Sequence, residues 1–332
     1  MSMNKQWLLD SRPTAKVSAA NFKLVERPMP KPSEGQALVR HLYLSLDPYM
    51  RGRLSEGPSY AKPQEIGAVM QGGAVGQVVE SLSPAFKVGD LVVGSGGWQT
   101  HSICDASSAR VVDASKVPVQ AFLGPVGMPG VTAWVGVEKI LAPKASETLV
   151  VSAATGAVGS VVGQLAKARG ARVVGIAGGP EKCGYAVSEL GFDACVDHKS
   201  PTFAEALKAA VPRGIDALFE NVGGACFDNC LRRTNDFARI AVCGLTASYE
   251  GAATSAIPDA RIILVKRLKI EGFIVSDHLA EWPKALSALA AAVASGKLRY
   301  RETVREGLEA APQGLVDLLH GANFGKMLIK VG

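Results

Sequence analysis

No stretch of this chain reaches the roughly 18 uninterrupted apolar residues that a membrane span requires. Gly, Ser, Thr or a charge breaks every candidate, Leu149 to Val162 included. The opening MSMNKQWLLDSRP has no apolar core of signal-peptide length before Asp10 and Arg12, so a cytoplasmic protein without membrane contact is expected. Paired cysteines are missing too. Cys104, Cys183, Cys195, Cys226, Cys230 and Cys243 include no Cys-x-x-Cys, and six thiols in 332 residues are no disulfide scaffold. Cys226 and Cys230 stand one helical turn apart, with no His or second Cys pair beside them, so no metal is expected and the thiols read as reduced and inert. Nor is one sign of charge concentrated anywhere. The 36 basic and 30 acidic residues give +6 spread along the chain, and KRLK (266–269) and RYR (299–301) read as solvated faces. Aromatics are 6% and do not interleave with basic residues, which speaks against a nucleic-acid partner. The balance suits a phosphate-bearing small ligand.

What is present is an enzyme-like composition, 48% hydrophobic and 20% charged, which excludes disorder; the length predicts two domains. The first third reads as β-rich. QALVRHLYLSL (36–46) nearly alternates, with Leu38, Leu42, Leu44 and Leu46 on one face and Val39, His41, Tyr43 and Ser45 on the other, until Asp47-Pro48 ends it. AVGQVVE (74–80) and DLVVG (90–94) follow between Pro- and Gly-rich connections, the spacing of a barrel-like or sandwich unit. After about residue 126, short apolar strands alternate with helical segments, the pattern of a parallel sheet with crossover helices. A helix from about Pro283 to Ser295 closes on Gly296, and the last 36 residues return to strand, helix, strand, ending in MLIKV.

The strongest local signal is AATGAVGSVVGQLAKARG (153–170). It follows the strand Thr148 to Ala153 and opens a helix whose Val158, Val161, Val162, Leu165 and Ala166 recur at helical spacing before Gly170. Ala154-x-Gly156-x-x-Gly159 is the dinucleotide fingerprint with Ala in the first position. Gly156 leaves backbone amides open to a pyrophosphate facing the helix amino terminus, and Gly159 lets the helix pack on the strand. Also lacking is the acidic residue that NAD enzymes place about 20 positions further on. Gly178-Gly179 stands there instead, so no carboxylate repels a 2′-phosphate. Lys182, in the first turn of the next helix, can reach that phosphate, and NADPH is the expected cofactor.

With these residues in hand the chain resembles the medium-chain dehydrogenase/reductase superfamily. The likeness is to its zinc-independent branch of leukotriene dehydrogenase/prostaglandin reductase and alkenal double-bond reductase enzymes, and within it to the bacterial NADPH-dependent curcumin reductases. The resemblance rests on YLSLDPYMRGR (43–53), PVGMPGVTAW (125–134), AATGAVGSVVGQLAK, GIAGGPEKC, ENVGG (220–224), CGLTASY (243–249), GFIV (272–275) and NFGKMLI (323–329). It implies an α/β fold: a GroES-like β-rich catalytic domain over 1–126, an inserted Rossmann domain with a doubly wound parallel sheet over 127–296, and a segment 297–332 that returns to the first domain. Where zinc-dependent cousins carry Gly-His-Glu, this chain has Gln71-Gly72-Gly73, and Asp47 stands near where a Cys ligand would fall.

Carried over by motif, the resemblance implies that Gly156, Ala157, Val158 and Gly159 meet the pyrophosphate. Gly178, Lys182 and His198 take the 2′-phosphate side, His198 standing where relatives often have Tyr. Asn221, Cys243, Gly244, Leu245, Thr246, Ser248, Tyr249, Phe273, Ile274, Val275 and Asn323 line the cofactor, and a homodimer is implied.

Without a metal, carbonyl polarisation falls to hydrogen-bond donors. Tyr249 is the expected catalytic donor, helped by a ribose hydroxyl of the cofactor, with Tyr49, Tyr60 and Met128 on the substrate and Arg51 a structural partner. The expected reaction is hydride transfer to the β-carbon of a small-molecule enone or enal, in the range of curcumin-like enones, alkenals and eicosanoid-type enones. A quinone oxidoreductase shares the cofactor and lacks zinc as well, but DPYMRG and CGLTASY favour the enone branch. A non-catalytic NADPH-sensing or RNA-associated protein is the reading from another class, disfavoured by the dispersed charge.

Overall fold

The computed structural model describes residues 3–57, 59–249, 257 and 259–332. The chain forms two compact units, one of Met1–Leu123 with Glu302–Gly332 and one of Gly124–Arg301. In the first, β1 (Met3–Leu9) and β2 (Phe22–Pro28) pair as an antiparallel ribbon. Then come β3 (Ala37–Ser45), the short helix α1 (Tyr49–Arg53) after Asp47-Pro48, and β4 (Ala74–Ser81), β5 (Leu91–Gly94), β6 (His101–Cys104) and β7 (Ala109–Val111). Residues expected on opposite faces of β3 enter different apolar cores. Ala37 and Val39 enter one with Val78 and Phe86, whereas Leu44 and Leu46 enter another with Met50, Trp98 and Ile329. Register against β4 shifts between Leu38 and Val39 and again between His41 and Tyr43, the mark of bulges.

The second unit begins with α2 (Met128–Val135) and then runs as the expected alternation: β8 (Thr148–Ser152), α3 (Gly159–Ala168), β9 (Arg172–Ala177), α4 (Pro180–Ser188), β10 (Ala194–Asp197), α5 (Phe203–Ala210), β11 (Ile215–Glu220), α6 (Gly224–Leu231), β12 (Thr234–Val242), α7 (Arg261–Lys266), β13 (Lys269–Gly272) and α8 (Trp282–Ala294). These strands form a parallel sheet in the order β10-β9-β8-β11-β12-β13. Counted within the unit, that is the 3-2-1-4-5-6 order of a Rossmann fold, and the winding reverses between β8 and β11. Both sheet faces are covered. Leu149, Val151 and Phe219 enter the core on one side, and Val150, Val174 and Leu218 the core on the other, which is why these strands read as unbroken apolar runs. Each such side chain contributes about 1.5–3 kcal/mol of burial.

The last segment supplies β14 (Glu302–Glu306), α9 (Ala311–Leu319) and β15 (Lys326–Lys330), and β15 pairs with β3 of the first unit. The crossing into this segment comes at Glu302, five residues after 297. Buried Leu298 belongs to the core of the second unit, and the Arg299 backbone amide and carbonyl both bond to the side-chain amide of Gln164. Lys326 anchors the return: its Nζ donates to Asp47 Oδ1 at 2.7 Å and to Leu46 O at 2.6 Å, with both charged groups buried. Among the described residues, no helix is long and apolar enough to cross a membrane.

Candidate functional site

The carboxyl ends of β8, β9, β11 and β12 carry most of the residues singled out above, and β8 and β11 flank the point where the winding reverses. After Ser152 the chain turns through Ala153, which holds a left-handed φ of 50°, and enters α3 at Gly159. A Cβ on Gly159 would lie 2.3 Å from Ala153 O, so helix and strand can approach this closely only with glycine there. Gly156 is different: its Cβ would meet only Ala153 O, at 3.2 Å, so the space beside this turn is otherwise open. Among the described residues the amides of Ala157 and Val158 donate to no protein acceptor. Two open donors at the start of a helix are suited to an anion.

At the end of β9, a Cβ on Gly178 would come within 3.0 Å of His198 Nε2 and 3.1 Å of Lys199 Cε, so this glycine keeps the way clear to a cluster of cations. Lys199, which the sequence reading passed over, belongs to that cluster together with Lys182 of α4. Burial first, and then the charge of Lys199, hold the Lys182 pKa below its ordinary value against the pull of Glu181. For His198, partial burial lowers the pKa, Asp197 pulls it up, and Lys199 and Lys182 push it down again; the net is a value below that of ordinary histidine. Asp197 is itself occupied, its Oδ1 accepting from the Gly179 and Lys199 amides at 2.8 and 2.9 Å. Neighbouring positive charge that depresses Lys182 and His198 is offset by an incoming anion, and a phosphate fits this group.

The ends of β11 and β12 are tied into the same edge through Glu220, which the sequence reading also missed. Its Oε1 accepts from Ser152 Oγ at 2.7 Å and from the Val222 and Gly223 amides at 2.6 and 2.8 Å. Asn221 Nδ2 donates to Ser152 O at 2.7 Å. The loop carrying Cys243 to Tyr249 is held by backbone bonds: the Cys243 amide to Glu220 O, Thr246 to Asn221 O, and Ala247 to Val222 O. Cys243, Gly244, Leu245, Thr246, Ser248 and Tyr249 are all half-buried, and burial pushes the Cys243 thiol up to about 12, in keeping with an inert cysteine. All six cysteines are free thiols.

The remaining candidates are dispersed. Phe273 sits in the core, edge-on to Phe219 at 6.0 Å between ring centres, so its side chain supports the sheet edge from beneath. Ile274 and Val275 follow at the end of β13, half-buried, with Val275 O accepting from Trp282 Nε1. Met128 starts α2, where its carbonyl accepts from Thr132 Oγ1. In the first unit, Asn323 Nδ2 donates to Gly325 O at 2.6 Å. Tyr49 and Tyr60 meet across a cation: the Arg53 guanidinium lies 5.5 Å from one ring centre and 5.9 Å from the other. Burial, aided by Asp47, pushes the Tyr49 phenol up, so it stays a neutral donor. Arg51 is buried and donates to Ser55 Oγ and Ala15 O, a structural role. Asp47, near the expected position of a metal-ligating cysteine, is committed to Lys326 and Ser45. Among the described residues no three His, Cys, Asp or Glu side chains gather as a metal site.

Comparison with known proteins agrees with this geometry. Residues 5–112 match a family model described as the N-terminal domain of oxidoreductase, and residues 157–291 one described as zinc-binding dehydrogenase. The chain is 47% identical to NADPH-dependent curcumin reductase of Escherichia coli K12 over 99% of this chain and 97% of that one. It is 40% identical to prostaglandin reductase 1 of Rattus norvegicus over 99% of this chain and 100% of that one. The crystal structure of CurA from Vibrio vulnificus in complex with NADPH superposes with a TM-score of 0.94 at 44% identity, covering 99% of each chain. The two units are thus a GroES-like domain and a Rossmann domain, and the chain belongs to the medium-chain dehydrogenases/reductases, in the branch that holds curcumin reductase and prostaglandin reductase 1.

Proposed function

We propose that the protein is an NADPH-dependent reductase of the carbon–carbon double bond in α,β-unsaturated ketones and aldehydes, with curcumin-like enones, alkenals and eicosanoid-type enones as its substrate range. The observation that carries the cofactor choice is the group at the end of β9, where glycine replaces an acidic residue and Lys182, Lys199 and His198 converge. Gly156 to Gly159, with the amides of Ala157 and Val158, receive the pyrophosphate; the cations receive the 2′-phosphate. Asn221 and the loop from Cys243 to Tyr249, with Ile274, Val275 and Asn323, hold the rest of the coenzyme.

NADPH, when bound, supplies the hydride for the β-carbon of the substrate. Tyr249 donates a hydrogen bond to the carbonyl oxygen and stabilises the enolate as charge develops there; solvent then protonates the α-carbon. Tyr49, Tyr60 and Met128 present apolar and aromatic surface to the substrate. Homodimeric assembly and a cytoplasmic location complete the proposal, supported by the family and by six unpaired thiols. A panel of enones, enals and quinones tests it through NADPH oxidation and product analysis. Stereospecific saturation of the double bond is the expected result; activity on quinones alone, or none on any enone, overturns it.

A further inference from the structure

We propose that Glu220 is a positioning residue for the coenzyme, clasping the three loop ends at the carboxyl edge of the parallel sheet so that their backbone groups face the dinucleotide together. The proposal rests on reading that edge as the NADPH site. Three loops meet at this one residue. Ser152 at the end of β8 donates its hydroxyl to Oε1, the β11–α6 turn donates the Val222 and Gly223 amides, and the Glu220 carbonyl accepts the Cys243 amide at the head of the loop after β12. The same Ser152 oxygen accepts the Asn221 amide at 2.8 Å, closing the network. Moving the carboxyl therefore moves Ser152, where the dinucleotide fingerprint is entered, and the β11–α6 turn, whose Asn221 and Val222 carbonyls accept the Thr246 and Ala247 amides of the loop that carries Tyr249.

The state of the carboxyl follows from its surroundings. Glu220 is 0% exposed, Oε1 takes three donors, and Oε2 has no partner among the described residues. The titratable groups facing it are the Cys226 and Cys230 thiols of α6 and Cys243, each raised by burial and then by Glu220 itself; the Arg233 guanidinium acts on Cys230, and among the described residues no cation pairs with Glu220. A buried charge without a counter-charge is costly, and burial outweighs the three hydrogen bonds in holding the Glu220 pKa above the usual carboxyl value. Protonated on Oε2, the group keeps Oε1 as the acceptor for Ser152 and the β11–α6 turn, while its main-chain carbonyl holds the loop after β12. Ionisation as pH rises strands a charge in the core and loosens the clasp. The closed, coenzyme-binding form thus has the higher Glu220 pKa. Affinity is full below the pKa of the loosened form and falls as pH rises through that of the closed form.

Coenzyme fluorescence titration on the purified protein tests this independently of turnover. Glu220→Ala is expected to weaken both NADPH and NADH by about tenfold or more, the scale of lost buried hydrogen bonds. Glu220→Gln, which keeps the acceptor and cannot ionise, is expected to stay within about threefold of wild type at low pH and to lack the fall as pH rises. If Glu220→Ala does not fold, Ser152→Ala, which removes one donor, is expected to weaken both coenzymes. A Glu220→Ala protein that binds both coenzymes as tightly as wild type overturns the proposal. So does a Glu220→Gln protein as weak as Glu220→Ala, or a Ser152→Ala loss confined to NADPH. Wild-type protein that binds neither coenzyme instead overturns the reading of the site itself.

Discussion

Each unit buries an acid at the end of a strand, and the two acids are handled in opposite ways. Asp47, after β3, meets the ammonium of Lys326 at 2.7 Å, and both groups are shielded from water. Glu220, at the end of β11, meets only amides and one hydroxyl through a single oxygen. The first arrangement joins distant parts of the chain, since Lys326 arrives with the returning segment. The second joins loops that follow neighbouring strands of one sheet. The Asp47 clasp holds the fold together, whereas the Glu220 clasp arranges backbone donors at a site. Mutations should separate the two roles.

The largest effect is expected in the first unit. Lys326→Met leaves Asp47 buried without its cation, and breaking such a pair from one side costs about 3–5 kcal/mol. Chemical denaturation should show that loss, with Asp47→Asn in the same background recovering part of it by removing the stranded charge. A stability change below about 1 kcal/mol, the worth of an exposed pair, would mean that water reaches this contact.

At the sheet edge the losses should fall on function. Tyr249→Phe removes a donor to developing negative charge, and turnover on an enone should fall on the order of 10²–10³-fold. A change within about threefold counts against Tyr249 as the donor, given that expected size. Gly159→Ala tests the turn below it. The new methyl meets the backbone oxygen of Ala153, which cannot rotate aside, so overpacking should cost about 1–3 kcal/mol in stability. Coenzyme affinity measured on the folded protein should fall as well; unchanged affinity would show that α3 can shift without disturbing the anion-binding amides.

How far the sequence foretold this difference depends on what each feature is made of. The strand, turn and helix over 148–168 were legible because apolar periodicity and glycine spacing are local. The parallel sheet with crossover helices followed from the alternation of segments, and the Rossmann fold from the resemblance. Glu220 was not legible, since IDALFE reads as an apolar strand with a charged end, and only the packing of three loops shows that this end is buried. Lys199 was hidden for the converse reason: a lysine beside His198 reads as surface until Gly178 is seen to open the space before it. In GFIV the motif was recognised but the part played by Phe273 was not, because a motif does not say whether a side chain faces ligand or core. In β3 the alternation was legible, but its two register shifts against β4 were not, because no local pattern announced them. KRLK contains the start of β13 as well as surface charge: Lys266 donates to Thr234 O, and Lys269 pairs with exposed Glu271.

The smallest expected effect lies at the end of β9 and separates the two pH dependences at this edge. In the free protein the pKa of His198 is below its ordinary value. A phosphate dianion beside it raises that pKa, so binding takes up a proton between the two values. Affinity for NADPH is then strongest below the free-protein pKa and is lost as pH rises through that of the complex. The phosphate opposes this trend, shedding its own second proton near about pH 6. Comparing wild type with His198→Ala cancels the phosphate and leaves the histidine. The difference should amount to no more than about tenfold, one pKa unit of coupling, and should vanish when NADH replaces NADPH. A Glu220 effect, by contrast, appears with both coenzymes. If wild type and His198→Ala show parallel NADPH profiles, His198 does not touch the 2′-phosphate, and Lys182 and Lys199 hold it alone.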